Sequence, residues 1–118
     1  MKFLMTYKGN DHNPSPETMA AIGKFGYEMT QKGVLLMTGG LVRPNTGTQL
    51  KYEAGKHSVI DGPFPETKEL IDGFALIRAG SKQEAIELAQ QFMNIAGEGE
   101  GEVLQVFDAA EGGPPGTG

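Results

Sequence analysis

Residues 74–93 read FALIRAGSKQEAIELAQQFM, and this stretch carries a strand, a helix start and a helix face in succession. Phe74-Ala75-Leu76-Ile77 is a short, continuous apolar run, the mark of a buried strand. Ser81 with Glu84 three residues later forms a capping box, in which the serine side chain serves an otherwise unpaired helical N–H. Ala85, Leu88, Ala89, Phe92 and Met93 then recur at helical spacing and predict an inward face. Glu98-Gly99-Glu100-Gly101 reads as a loop, and Val103, Leu104, Val106 and Phe107 as a final strand. The order is strand, helix, strand.

The N-terminal third has the same order. Phe3, Met5 and Tyr7 alternate along a strand, and residues 8–14 form a polar loop. Ser15 is a good N-cap, Pro16 suits the first helical position, and Glu17 favours the positive helix end. Met19, Ile22, Phe25, Gly26 and Met29 follow at helical spacing until Gly33 stops the helix. Val34-Leu35-Leu36-Met37 reads as a second buried strand. Gly39-Gly40 and Pro44-Asn45 mark a bend and a loop. Residues 48–52 and 56–60 form a hairpin turning near Ala54-Gly55.

Two βαβ units flanking a hairpin predict one α+β domain over residues 1–108. The expected arrangement is a ferredoxin-like split βαβ with an inserted β-hairpin: an antiparallel sheet, two helices on one face and right-handed crossovers. Residues 109–118, rich in Gly and Pro, are expected to form a disordered tail. Two helices cover only one sheet face, yet residues 34–37 and 74–77 are apolar on both. The simplest cover is a second copy of the same face, so a homodimer is expected.

Composition narrows the function classes. The 118 residues suit one domain. The net charge of −5, with ten basic residues scattered among fifteen acidic ones, disfavours nucleic acid and anionic membrane surfaces as partners. Cysteine is absent, which removes disulfides, thiolate catalysis and Cys-based metal sites. The apolar run at residues 3–5 is too short for a signal peptide, and no stretch approaches the roughly 20 apolar residues of a membrane span, so a cytoplasmic location is expected. Glycine is abundant, 18 of 118 residues, an excess assigned to turns and the tail.

The segment Asp61-Gly62-Pro63-Phe64-Pro65-Glu66-Thr67-Lys68-Glu69, followed by Gly73-Phe74, is dense in chemistry. It closely resembles the signature of DGPF proteins in the YCII-related superfamily. Lys2-Phe3-Leu4-Met5 and Gly33-Val34-Leu35 also fit that family's pattern, and the resemblance covers roughly residues 1–108. It implies a dimeric α+β barrel, in agreement with the element order. It implies little about chemistry. Dimeric α+β barrels include small enzymes acting on aromatic compounds, often without a cofactor, and genes of the DGPF branch often neighbour those for extracytoplasmic-function sigma factors. Other YCII branches carry a first-helix histidine paired with an aspartate, regarded as a catalytic dyad. Residues 16–32 contain no histidine, so that dyad does not carry over.

Candidate site residues follow from chemistry and spacing. Asp61 precedes a rigid Gly-Pro turn and, with Glu66, is a candidate base or polar anchor. Glu66 and Glu69 share a helical face if the segment is helical, and burying one of them would raise its pKa toward general-base range. Lys68 is a candidate anion contact, and Phe64, confined between two prolines, a candidate pocket wall. His12, after the first strand, is the candidate for the opposite wall. The bland alternatives are a solvated loop pair at Asp11-His12, an ordinary turn at Asp61-Gly62-Pro63, and Phe64 as a plug of the core. His57 and Asp61 share a strand face but stand about 13 Å apart along it. Two separated histidines make no metal set. Gly39-Gly40 has no following lysine, and no dinucleotide fingerprint or G-x-S-x-G elbow is present, so no cofactor is expected.

Three readings of function remain: a small cofactor-independent enzyme of lyase or isomerase type acting on a small organic molecule; a non-catalytic ligand-binding or regulatory dimer linked to a sigma-factor pathway; and a purely structural interaction module.

Overall fold

The computed structural model describes residues 1–10, 13–42, 47–64 and 71–108. Eight elements follow in chain order: β1 (Lys2–Gly9), α1 (Pro16–Gln31), β2 (Leu35–Gly40), β3 (Thr48–Glu53), β4 (Lys56–Asp61), β5 (Gly73–Arg78), α2 (Lys82–Ala96) and β6 (Gly99–Val106). The expected tail, residues 109–118, lies outside the described residues.

Four strands form one sheet in the order β2-β5-β1-β6, and every neighbouring pair is antiparallel. Each helix therefore links two strands with a third lying between them, which is the split βαβ, ferredoxin-like arrangement. β3 and β4 form a separate two-stranded sheet inserted between the halves. α1 and α2 pack on each other; α2 lies against β1 and β6, and α1 against β2. Both helices thus occupy one face of the sheet.

Local sequence sets the helix ends as read. The Ser15 side chain accepts the Thr18 N–H at 3.1 Å, with Pro16 in the first turn. At the far end Gly33 takes a φ of +73°, which lets its N–H reach the Thr30 carbonyl and the Val34 N–H reach Met29. That pair of bonds is a Schellman stop, and a residue without Cβ suits it. Ser81 accepts the Glu84 N–H at 3.1 Å, while the Glu84 carboxylate takes the N–H of Gly80 rather than that of the cap itself. Ala54 and Gly55 both have positive φ (52° and 76°), the two-residue turn whose twist suits a hairpin.

The core lies between helices and sheet. Phe3, Ile77, Ala79 and Ala85 are buried, with Met5, Val34, Leu35, Ala75, Leu88 and Val103 packed around them. Phe3 alone, essentially without exposure, contributes on the order of 2 kcal/mol by removal from water.

Three readings change. Met19 faces solvent instead of the core. Gly39 and Gly40 form no bend but end β2, paired with Phe74 and Gly73. Gly99 and Gly101 form no loop but open β6, opposite Gly9 and Tyr7. The last two share one cause. A Cβ at Gly99 would run into the Lys8 carbonyl, and one at Gly101 into the Thr6 carbonyl. These glycines permit close strand approach, so low strand propensity does not exclude them from the sheet.

On the face opposite the helices, strand register aligns Met37, Leu76, Leu4 and Leu104 in one row across all four strands. The apolar second face read from the sequence is present, and within the described chain neither helix covers it.

Candidate functional site

Among the described residues, one end of the sheet is nearly bare of side chains on its helix side. Register places Gly40, Gly73, Tyr7 and Gly101 in a row across β2, β5, β1 and β6, on the helix side. Gly9 and Gly99 form the next row on β1 and β6. Tyr7 is therefore the single side chain in a four-strand row. Among the described residues, a Cβ built at Gly40 would meet only the Asp72 carbonyl, at 3.7 Å, so the helix side chains described leave that position open.

Tyr7 is held in place from two sides. Its ring meets Phe92 of α2 edge-on, with centroids 5.2 Å apart. Its hydroxyl donates to the Gly97 carbonyl at 2.8 Å and lies 3.3 Å from that of Glu98, taking up carbonyls at the C-terminal end of α2. The ring also lies against Gly9 and Gly99, where a Cβ would crowd it. Burial, and after it the negative charge of Asp72, pushes the phenol above the ordinary tyrosine value.

Asp72 sits just before β5, half-buried beside this row. Its carboxylate accepts the buried Gly9 N–H at 2.6 Å, its own N–H donates to the Tyr7 carbonyl at 2.7 Å, and its carbonyl accepts the Leu41 N–H at 2.8 Å. One residue thus ties together the ends of β1, β2 and β5. A carboxylate fixed this way is preorganised for an acid, base or anchoring role. The chain leaving β1 here leads into α1, so the positive N-terminal end of that helix also belongs to this end of the sheet.

Of the residues singled out in the sequence, Asp61 ends β4 and is exposed. The Thr48 hydroxyl donates to its carboxylate at 2.9 Å across the last hairpin pair. The next residue, Gly62, donates its N–H to the Gly47 carbonyl at 2.8 Å, and the Gly62–Pro63 peptide is cis. Phe64 is half-buried. His12, Glu66, Lys68 and Glu69 lie outside the described residues. His57 stands opposite Tyr52 with ring centroids 4.5 Å apart, on the same face as Asp61.

In the sequence nothing marks Asp72 or the glycine row as a candidate site, and Tyr7 reads only as a strand residue. The available signal was the glycine excess, whose members at 40, 73 and 101 are scattered along the chain and meet only through register.

A protein of Rhizobium meliloti (strain 1021), described only as uncharacterized, is 43% identical over 54 residues, which cover 46% of this chain and 44% of that protein. The match thus spans less than half of that relative. The model of the YCII-related domain matches residues 1–110, and with nearly the whole chain so covered the protein belongs to the YCII-related domain family.

Proposed function

We propose that this YCII-related protein, of the DGPF branch, is a homodimeric, cytoplasmic, cofactor-independent enzyme of lyase or isomerase type, acting on a small, flat organic molecule with an ionisable or enolisable group. The observation that carries the reading is the helix-side row Gly40–Gly73–Tyr7–Gly101 with Asp72 fixed beside it. A row without Cβ atoms gives a flat molecule access to the sheet backbone. The Tyr7 ring supplies an apolar floor, and Asp72 is the base or polar anchor. Residues from the motif complete the proposal: Asp61 and Glu66 as further anchor or base, Lys68 as the anion contact, Glu69 and Phe64 as walls, and His12 as the opposite wall. Dimerisation is assigned to the helix-free face along Met37, Leu76, Leu4 and Leu104.

A second reading, a non-catalytic ligand-binding or regulatory dimer of a sigma-factor pathway, draws on one specific feature. The Tyr7 hydroxyl is engaged by backbone carbonyls at the end of α2, which suits a receptor floor as well as a reaction centre.

The test is solvent deuterium incorporation into a panel of small enolisable acids and phenols, followed by proton NMR, beside thermal-shift binding of the same panel. Incorporation faster than buffer, lost in both Asp72→Asn and Gly40→Leu, supports the enzyme. Binding lost in Gly40→Leu without incorporation supports the receptor. Absence of both removes the site from this end of the sheet. Gly40→Leu is informative because the position has room for a Cβ, so the substitution fills the groove without forcing the strands apart.

A further inference from the structure

Among the described residues, the β3–β4 hairpin is an element without a partner in its own chain. Every residue of both strands is exposed, and its strands pair with each other and with no strand of the four-stranded sheet. An isolated two-stranded hairpin is only marginally stable in water. This one is nonetheless two-faced. Register places Leu50 opposite Val59 and Tyr52 opposite His57, all on one face, with the hydrogen-bonded Thr48–Asp61 pair at its end. The other face carries Gln49, Lys51, Glu53, Lys56, Ser58 and Ile60, with Lys51 and Glu53 ion-paired at 3.2 Å. That face, polar but for Ile60, is built for water. The apolar face leaves Leu50, Tyr52 and Val59 at 79%, 67% and 63% exposure, which is the signature of a surface made to be covered.

We infer that the hairpin is an exchanged arm: in the dimer it lays its Leu50–Tyr52–Val59 face on the second copy, and the second copy's arm does the same in return. The proposal rests on the dimer reading given above and adds to it the element that makes the interface large enough. On the helix-free sheet face, Met37 and Leu104 are 57% and 45% exposed and Leu4 and Leu76 half-buried. That row offers on the order of 200 Å² of apolar side-chain surface, against the roughly 450 Å² of apolar area in one partner's share of a stable interface. The arm face, with one aromatic, one imidazole and two aliphatic side chains, adds on the order of 400 Å². The two surfaces together reach that size, whereas the sheet row by itself supplies less than half of it. The acidic chain, at −5, argues against an anionic membrane as the cover.

The experiment uses the full chain, whose lack of cysteine makes site-specific labelling simple. Light scattering and sedimentation across a dilution series should give a dimer, twice the 12.6 kDa chain mass. Leu50→Glu combined with Val59→Glu should raise the dimer dissociation constant at least tenfold with far-ultraviolet dichroism unchanged. Gln49→Glu, on the polar face, should leave it where it was. A benzophenone on Tyr52→Cys should give a covalent dimer on illumination. If the arm variants stay dimeric while Leu104→Glu dissociates, the arm inference is wrong and the sheet-face dimer stands. If the label crosslinks only within its own chain, the arm is intramolecular and the inference is overturned. A wild-type monomer at tens of micromolar removes both the arm and the dimer, and a tetramer that the arm variants reduce to a dimer overturns the reciprocal exchange.

Discussion

The backbone N–H of Asp72 donates to the Tyr7 carbonyl at 2.7 Å, and the Asp72 carboxylate reaches two residues further to the Gly9 N–H. The end of β1 is therefore clamped by a residue more than sixty positions away in sequence. The clamp is side chain on one rung and backbone on the next, which separates what a substitution at Asp72 removes from what it spares.

Asp72→Ala is expected to cost about 1–3 kcal/mol, because it leaves the buried Gly9 N–H without its charged acceptor while the backbone rung survives. Asp72→Asn keeps an acceptor oxygen and should cost less. Urea denaturation of the three proteins gives the ranking. Equal stability of Asp72→Ala and wild type would show that water replaces the carboxylate.

Tyr7→Phe keeps the ring contact with Phe92 and loses the hydroxyl bonds at the end of α2, an expected loss of about 1 kcal/mol. The pH dependence has a definite sign. With the folded pKa raised above 10.0, the folded state holds the phenol proton more tightly than the unfolded chain. The stability from Tyr7 is thus fully present below pH 10 and declines as pH rises through the folded value. Wild type should lose stability relative to Tyr7→Phe only above about pH 10. A constant difference across that range contradicts the raised value.

Two glycine substitutions should differ in sign. Gly101→Ala drives a methyl group into the Thr6 carbonyl and is expected to destabilise by about 2 kcal/mol or more, in the range of overpacked core sites. Gly23→Ala lies within α1, exposed, with nothing among the described residues within 4 Å of the new Cβ, and should stabilise by about 0.5–1 kcal/mol. Thermal unfolding of the pair decides. A Gly101→Ala protein as stable as wild type would mean that β6 can move away from β1 at little cost.

Asp61→Asn tests the motif residue itself. Asp61 is exposed and bonded to Thr48, and asparagine keeps an acceptor, so stability should hold within about 0.5 kcal/mol. Under the proposed function, affinity for any panel compound bound by wild type should fall by tenfold or more. A loss of several kcal/mol in stability with affinity unchanged would make Asp61 scaffold for the hairpin base.

The sequence by itself determined the elements whose cause is local. Ser15, Pro16 and Gly33 bound α1 through hydrogen bonds within a few residues, Ser81 and Glu84 begin α2 in the same way, and Ala54-Gly55 turn the hairpin. Alternation put Phe3, Met5 and Tyr7 on one face because strand period is a property of the backbone. The order of those elements sufficed for the split βαβ fold. Tertiary structure alone decided the rest. Gly40, Gly73 and Gly101 are far apart in the chain, Gly40 reads as a bend and Gly101 as a loop, and only strand register brings the three into one row with Tyr7. Gly99 and Gly101 belong to a strand because β1 passes too close for a Cβ, a fact carried by β1 and not by their own surroundings. Asp72 has no motif of its own; its place follows from three strand ends meeting around it. The exposed apolar face of the hairpin is likewise invisible in the chain, since alternation shows which side chains share a face but not whether anything lies against it.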